Sequence, residues 1–201
     1  MNTGVYQYGG MACCVMINDG KSKGKMSFVT SSDVVASLKA DKKPTEMHPF
    51  LKKKMKGCHL VVNSTVNNFG PFSFLSFDRE SSPGLKMNPQ PTCLDFQVPK
   101  QDLESEFEAY TFVGSKKLKL KFVYQRDTGK YILSAKEKKQ LELSFVLGAP
   151  IIIENEDVRK HLSSRWSVVG VMGLNEEGEL SPYFVAADLF GEFCWFSYNP
   201  V

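Results

Sequence analysis

Short apolar runs recur along this chain, separated by clusters of Gly, Pro, Asn, Asp and Ser. That spacing predicts strands joined by turns rather than long helices. The clearest pattern lies past the midpoint. Leu118, Leu120, Phe122 and Tyr124 alternate with Lys117, Lys119, Lys121 and Val123. A period of two puts the first set on a buried face and the lysines in water. Asp127-Thr128-Gly129 supplies a turn and Tyr131–Leu133 returns, so a hairpin is expected.

The same reading gives strands over Ala12–Asn18, Lys25–Thr30, Asp33–Leu38, His59–Val62 and Cys93–Val98. Past the hairpin it gives Leu141–Val146, Ile151–Ile153, Trp166–Met172 and Tyr183–Ala186. Asp19-Gly20-Lys21-Ser22 and Asn175-Glu176-Glu177-Gly178 read as turns. Lys39–Lys56, broken by Pro44 and Pro49, and the proline-rich Ser81–Pro91 read as loops. The acidic stretch Gln101–Glu108 reads as a connector between two halves. Asp188–Tyr198 is expected to form a short terminal helix, with Leu189, Phe193 and Phe196 near one face. The pattern is all-β. Periodicity alone leaves a pair of barrels and a sandwich both open.

Composition narrows the class. The chain has 201 residues, 42% of them hydrophobic and 23% charged, which suits a folded globular protein rather than a disordered one. A formal charge of +3 is too small to imply nucleic-acid binding by itself. Met1–Gly10 lacks a basic start followed by an apolar stretch, so no signal peptide is expected. The apolar runs fall short of the roughly 20 residues a membrane helix needs. The five cysteines are odd in number and form no CxxC pair. Reduced thiols and an intracellular location, cytoplasmic or nuclear, are expected.

Little in the chain points to a metal or cofactor, and none is expected. Cys58 and His59 are adjacent, but paired ligands two to four residues apart are missing. His48, His59 and His161 read as ordinary surface or half-buried histidines. The basic stretch 115–139 is different. Lys117, Lys119, Lys121, Arg126 and Lys130 would attract phosphates if they shared one surface. A solvated strand face, with lysines blocking edge-to-edge pairing, is the simpler reading.

Several segments resemble chymotrypsin-like serine proteases. Phe145-Val146-Leu147-Gly148-Ala149-Pro150-Ile151-Ile152 is similar to the nucleophile loop, Gly-Asp-Ser-Gly-Gly-Pro followed by apolar residues. Val168-Val169-Gly170-Val171-Met172-Gly173 resembles the strand flanking the primary specificity pocket. Pro182–Val185 resembles the last barrel strand, and Leu189–Phe196, with Trp195, the terminal helix. In the first half, Phe28–Lys39 is similar to the strand leading to the catalytic histidine, and Leu94–Val98 to the strand that begins with the catalytic aspartate. The resemblance implies two packed antiparallel β-barrels, residues 1–100 and 101–201, the second ending in the short C-terminal helix.

The departures from that pattern shape the functional expectation. The triad mechanism needs a nucleophile, an imidazole base and a carboxylate that orients it. On this register Leu147 stands at the nucleophile, Lys39 at the histidine and Asp95 at the aspartate. An inactive relative of the family is therefore expected, a pseudoprotease acting as a protein-binding scaffold or assembly module. The resemblance places its partner beside Val169, Gly170, Val171, Met172 and Gly173 by strand addition. The Gly148-Ala149 turn would grip a carbonyl or carboxylate through its backbone N–H groups. The alternatives are a nucleic-acid-binding β domain using the lysine-rich hairpin, and a hydrolase with a non-standard catalytic constellation.

Overall fold

The computed structural model describes residues 10–17, 25–40, 46–47, 60–77, 94–99, 106–113, 116–139, 141, 146–154 and 166–186. Its organising element is the hairpin anticipated from the alternation. β7 (Glu106–Val113) and β8 (Lys116–Gln125) pair antiparallel from Glu106↔Val123 to Val113↔Lys116. Leu120 and Phe122 are buried while Lys117, Lys119 and Lys121 are exposed, as a period of two demands. β9 (Lys130–Leu133) returns along β8. A one-turn helix, α2 (Ala135–Lys138), follows, with the Ser134 hydroxyl accepting from the Glu137 N–H.

The remaining strands of the second half are β10 (Pro150–Glu154), β11 (Trp166–Leu174) and β12 (Leu180–Phe184). β10 bridges β7 and β11, and β12 runs along the other edge of β11. The run β9-β8-β7-β10-β11-β12 curls until β12 lies beside β9. No ladder joins those two strands among the described residues. Aromatic side chains fill the seam instead: the Phe184 ring lies 5.5 Å from Tyr131 and 5.5 Å from Phe122.

The first half contributes β1 (Cys13–Ile17), β2 (Lys25–Ser31), β3 (Glu46–Met47), β4 (Leu60–Phe69) and β5 (Phe72–Phe77). These pair as antiparallel neighbours in the order β3-β4-β5-β2-β1. β6 (Leu94–Phe96) then runs parallel to β1 on one side and to β11 on the other. The halves therefore share a sheet path that leads through β6. The protein is mostly β, as expected. The expected pair of separately closed barrels is not what the pairing shows, because the path stays open.

β11 explains why one sheet can carry two hydrophobic clusters. Val168 and Val171 pack with Val15, Phe72 and Phe96, while Val169 and Met172 pack with Leu120 and Phe122. A strand buried on both faces reads as a continuous apolar run rather than an alternation.

Three expectations are corrected. Asp33–Leu38 is not a strand but the body of α1 (Ser32–Ala40). The Val34-Val35 pair suggests a strand by propensity, yet Val34 and Val35 are buried while Ala36 and Ser37 are exposed, a helical spacing. Leu141 and Val146 lie outside any strand, with Val146 entering a tight turn. Glu106 and Glu108 belong to β7 rather than to a connector. The strand β5 was not anticipated. The terminal helix over Asp188–Tyr198, the loop over Ser81–Pro91 and most of the Lys39–Lys56 loop lie outside the described residues. Among the described residues, no helix is long and apolar enough to cross a membrane.

Candidate functional site

The turn 146–149 is held on three sides. Met11 donates its N–H to the Leu147 carbonyl at 2.8 Å, and Ala149 donates to the Val146 carbonyl at 2.8 Å. Gly148 donates to the Met172 carbonyl at 2.7 Å, and Met172 donates back to the Ala149 carbonyl at 2.9 Å. The turn thus extends the β10–β11 ladder by one step. Gly148 has φ +78°, and a Cβ there would collide with the Met11 carbonyl oxygen and the Thr30 hydroxyl. That hydroxyl already donates to the Met11 carbonyl at 2.6 Å in a buried setting.

Two expectations about this region change. The Gly148 and Ala149 N–H groups are both spent on backbone carbonyls, so neither is left to grip a partner's carbonyl or carboxylate. Strand addition beside Val169–Gly173 meets the same difficulty. One edge of these residues pairs with β10 and the turn, and the other with β12 and Val185. All five are buried. An added strand has no free ladder there.

The three triad positions lie on different elements. Asp95 is buried on β6, opposite Met16 and Ser167 in the two parallel ladders. Leu147 is half-buried in the turn. Lys39 lies at the C-terminal end of α1. The start of α1 is what packs here. Val34 borders Gly148, and the Asp33 carboxylate accepts the Leu174 N–H at 2.9 Å. Tyr183 donates its hydroxyl to the Leu174 carbonyl at 2.5 Å. Side chains, not a strand, therefore hold both backbone groups of Leu174. Burial raises the Tyr183 pKa above the usual phenol value, and the negative charges of Asp33 and Glu176 raise it further. Reading 33–38 as a strand hid Asp33. The signal that finds it is Ser-Ser-Asp before an apolar pair, a pattern for a helix start.

The lysine-rich face has its own order. Lys121 pairs with Glu106 and Lys119 with Glu108, each across the diagonal of the β7–β8 ladder. Donating to the Glu108 carboxylate raises the Lys119 pKa, and donating to Glu106 raises that of Lys121. The next diagonal pair in the series is Lys117 with Tyr110. Here the ammonium lies 4.3 Å from the Tyr110 ring centroid and 4.2 Å from that of Trp166. Arg126 and Lys130 are exposed at the hairpin turn, beyond these pairs. Among the described residues, no group of three or more His, Cys, Asp or Glu is placed to hold a metal.

Comparison with known proteins adds little. No protein-family profile matches the chain. No curated protein matches it either. Among solved structures, an inactive mutant of the murine norovirus NS6 protease, extended at its C-terminus into NS7, is similar at 14% identity. The match covers 91% of each chain with a TM-score of 0.45. The expectation that this chain is not an enzyme is corrected here, since the similar structure is a protease.

Proposed function

We propose that the chain is a protein-binding module on a chymotrypsin-like framework, and that it engages its partner through the outer face of β7 and β8. The observation that carries this reading is the charge ladder. Two lysines of that face are paired with two glutamates, and an aromatic pair closes the series at one end. Alternating signs with tyrosine and tryptophan beside them complement a protein surface. Phosphate recognition needs cations free to displace counterions, and the glutamates offset much of the lysine charge. The nucleic-acid reading is supported less well for that reason.

One experiment separates the two. Capture from native cell extract is compared, with and without nuclease, for the wild type and for Glu106→Lys with Glu108→Lys. A protein partner matched to the mixed face survives nuclease and is lost from the variant. A nucleic acid binds the variant more tightly, because two negative charges have become positive. Stronger, nuclease-sensitive capture by the variant overturns the proposal.

A further inference from the structure

The corner at Lys117 has a chemistry that the two ion pairs beside it lack. Tyr110 and Trp166 stand edge to face, with centroids 5.4 Å apart and planes at 87°. Both rings are half-buried, and Tyr110 packs against the core cluster that includes Phe96 and Ile152. The Lys117 ammonium sits nearly equidistant from the two faces, on an exposed side chain. The result is two perpendicular π walls beside the Lys117 ammonium.

Such walls attract a cation through the ring quadrupole. The ring faces offer no hydrogen-bond acceptor to an ammonium N–H, unlike the Glu106 and Glu108 carboxylates in the neighbouring pairs. Replacing the N–H protons by methyl groups keeps the charge, removes the need to strip tightly bound water, and adds apolar contact with the rings. A corner of this kind therefore prefers a methylated ammonium over a plain one. Lys117 holds the place weakly, as exposed cation–π contacts do.

We propose that Tyr110 and Trp166 form a recognition site for a methylated lysine of a partner protein, and that Lys117 is its resident, displaceable competitor. The site stands on these residues alone. Only the protein origin of the ligand rests on the function proposed above.

The test is calorimetric titration of the full chain with a glycine-flanked trimethyllysine peptide, its unmethylated counterpart and tetramethylammonium chloride. Lys117→Ala should bind the trimethyllysine peptide about fivefold or more tighter than the wild type, because the competitor is gone. The unmethylated peptide should bind that variant at least about fivefold more weakly than the methylated one. Tyr110→Leu and Trp166→Phe should each weaken the methylated peptide, with circular dichroism showing that the fold is retained. Equal binding of the two peptides to Lys117→Ala overturns the proposal. Binding of tetramethylammonium without the peptide overturns the protein origin of the ligand. A partner captured from extract but unaffected by Trp166→Phe leaves the protein-binding reading standing and removes this one.

Discussion

Alanine at Gly148 should cost far more stability than alanine at Gly178, although the two glycines have nearly the same backbone angle. Their φ values are +78° and +76°. Each replacement puts a Cβ in left-handed backbone, a strain of about 1 kcal/mol. At Gly178 the new methyl meets nothing within 4 Å, so that strain is the whole effect. At Gly148 it would strike the Met11 carbonyl and the Thr30 hydroxyl, and lie 2.9 Å from Val34 Cγ2. Turning Thr30 away would still leave the Met11 backbone carbonyl in the way, so the turn must lift and give up the Gly148–Met172 or Met11–Leu147 bond. Leaving a buried group unsatisfied costs about 1–3 kcal/mol. The total for Gly148→Ala is then about 2–4 kcal/mol, a large part of the 5–15 kcal/mol typical of a folded chain. Urea denaturation reads the difference directly. With a slope of about 2 kcal/mol per molar, the midpoint should fall by about 1–2 M for Gly148→Ala and by about 0.5 M for Gly178→Ala. Equal shifts for the two variants would refute the reasoning, since they would mean that backbone strain alone sets the cost.

Tyr183 should make stability fall at alkaline pH. Its folded pKa is raised above the ordinary value of 10.0, so between the two values the folded chain holds a proton that the unfolded chain has lost. The contribution is complete below the unfolded pKa and disappears as pH rises through the folded one. Tyr183→Phe should flatten that part of the stability–pH curve, measured by urea titration at successive pH values; an unchanged slope would count against the assignment. Phe184 should matter for the seam between β9 and β12. Its ring stacks within 5.3 Å of Phe107 and 5.5 Å of both Phe122 and Tyr131. Phe184→Ala should lower stability by about 2–4 kcal/mol, and a loss below about 0.5 kcal/mol in the same titration would show that the aromatics do not hold the seam.

The sequence made the hairpin legible because one face of β7–β8 is wet. Leu120 and Phe122 go in, the lysines go out, and the period shows. It made β11 legible for the opposite reason, as an apolar run buried on both faces. What it hid were local geometries that compete with pattern. Val34-Val35 reads as strand until packing places both on one helix face. Phe72–Phe77 alternates Phe and Ser too briefly to stand out beside a Gly-Pro turn. The functional corner was half legible. Resemblance drew attention to Leu147, Gly148 and Ala149, but motif order cannot reveal that the Gly148 and Ala149 N–H groups are already committed. It also pointed to Lys39, when the side chain reaching β11 from that segment is Asp33.

The same contrast governs the lysine face, where the functional argument now rests. A list of lysines gives the charge of a segment but not its partners. Glu106 and Glu108 looked like part of an acidic connector, so their charge was assigned elsewhere. Once they are placed on β7, the diagonal geometry of an antiparallel ladder brings each within reach of a lysine on β8. The series then meets Tyr110 where a third acid would stand, and Lys117 settles on two rings instead. That substitution changes the chemistry of the position from ion pairing, which needs N–H donors, to a π surface, which does not. A ladder that neutralises two of its cations and cages the third is poorly suited to holding phosphates. It is well suited to discriminating among ammonium groups carried by another protein.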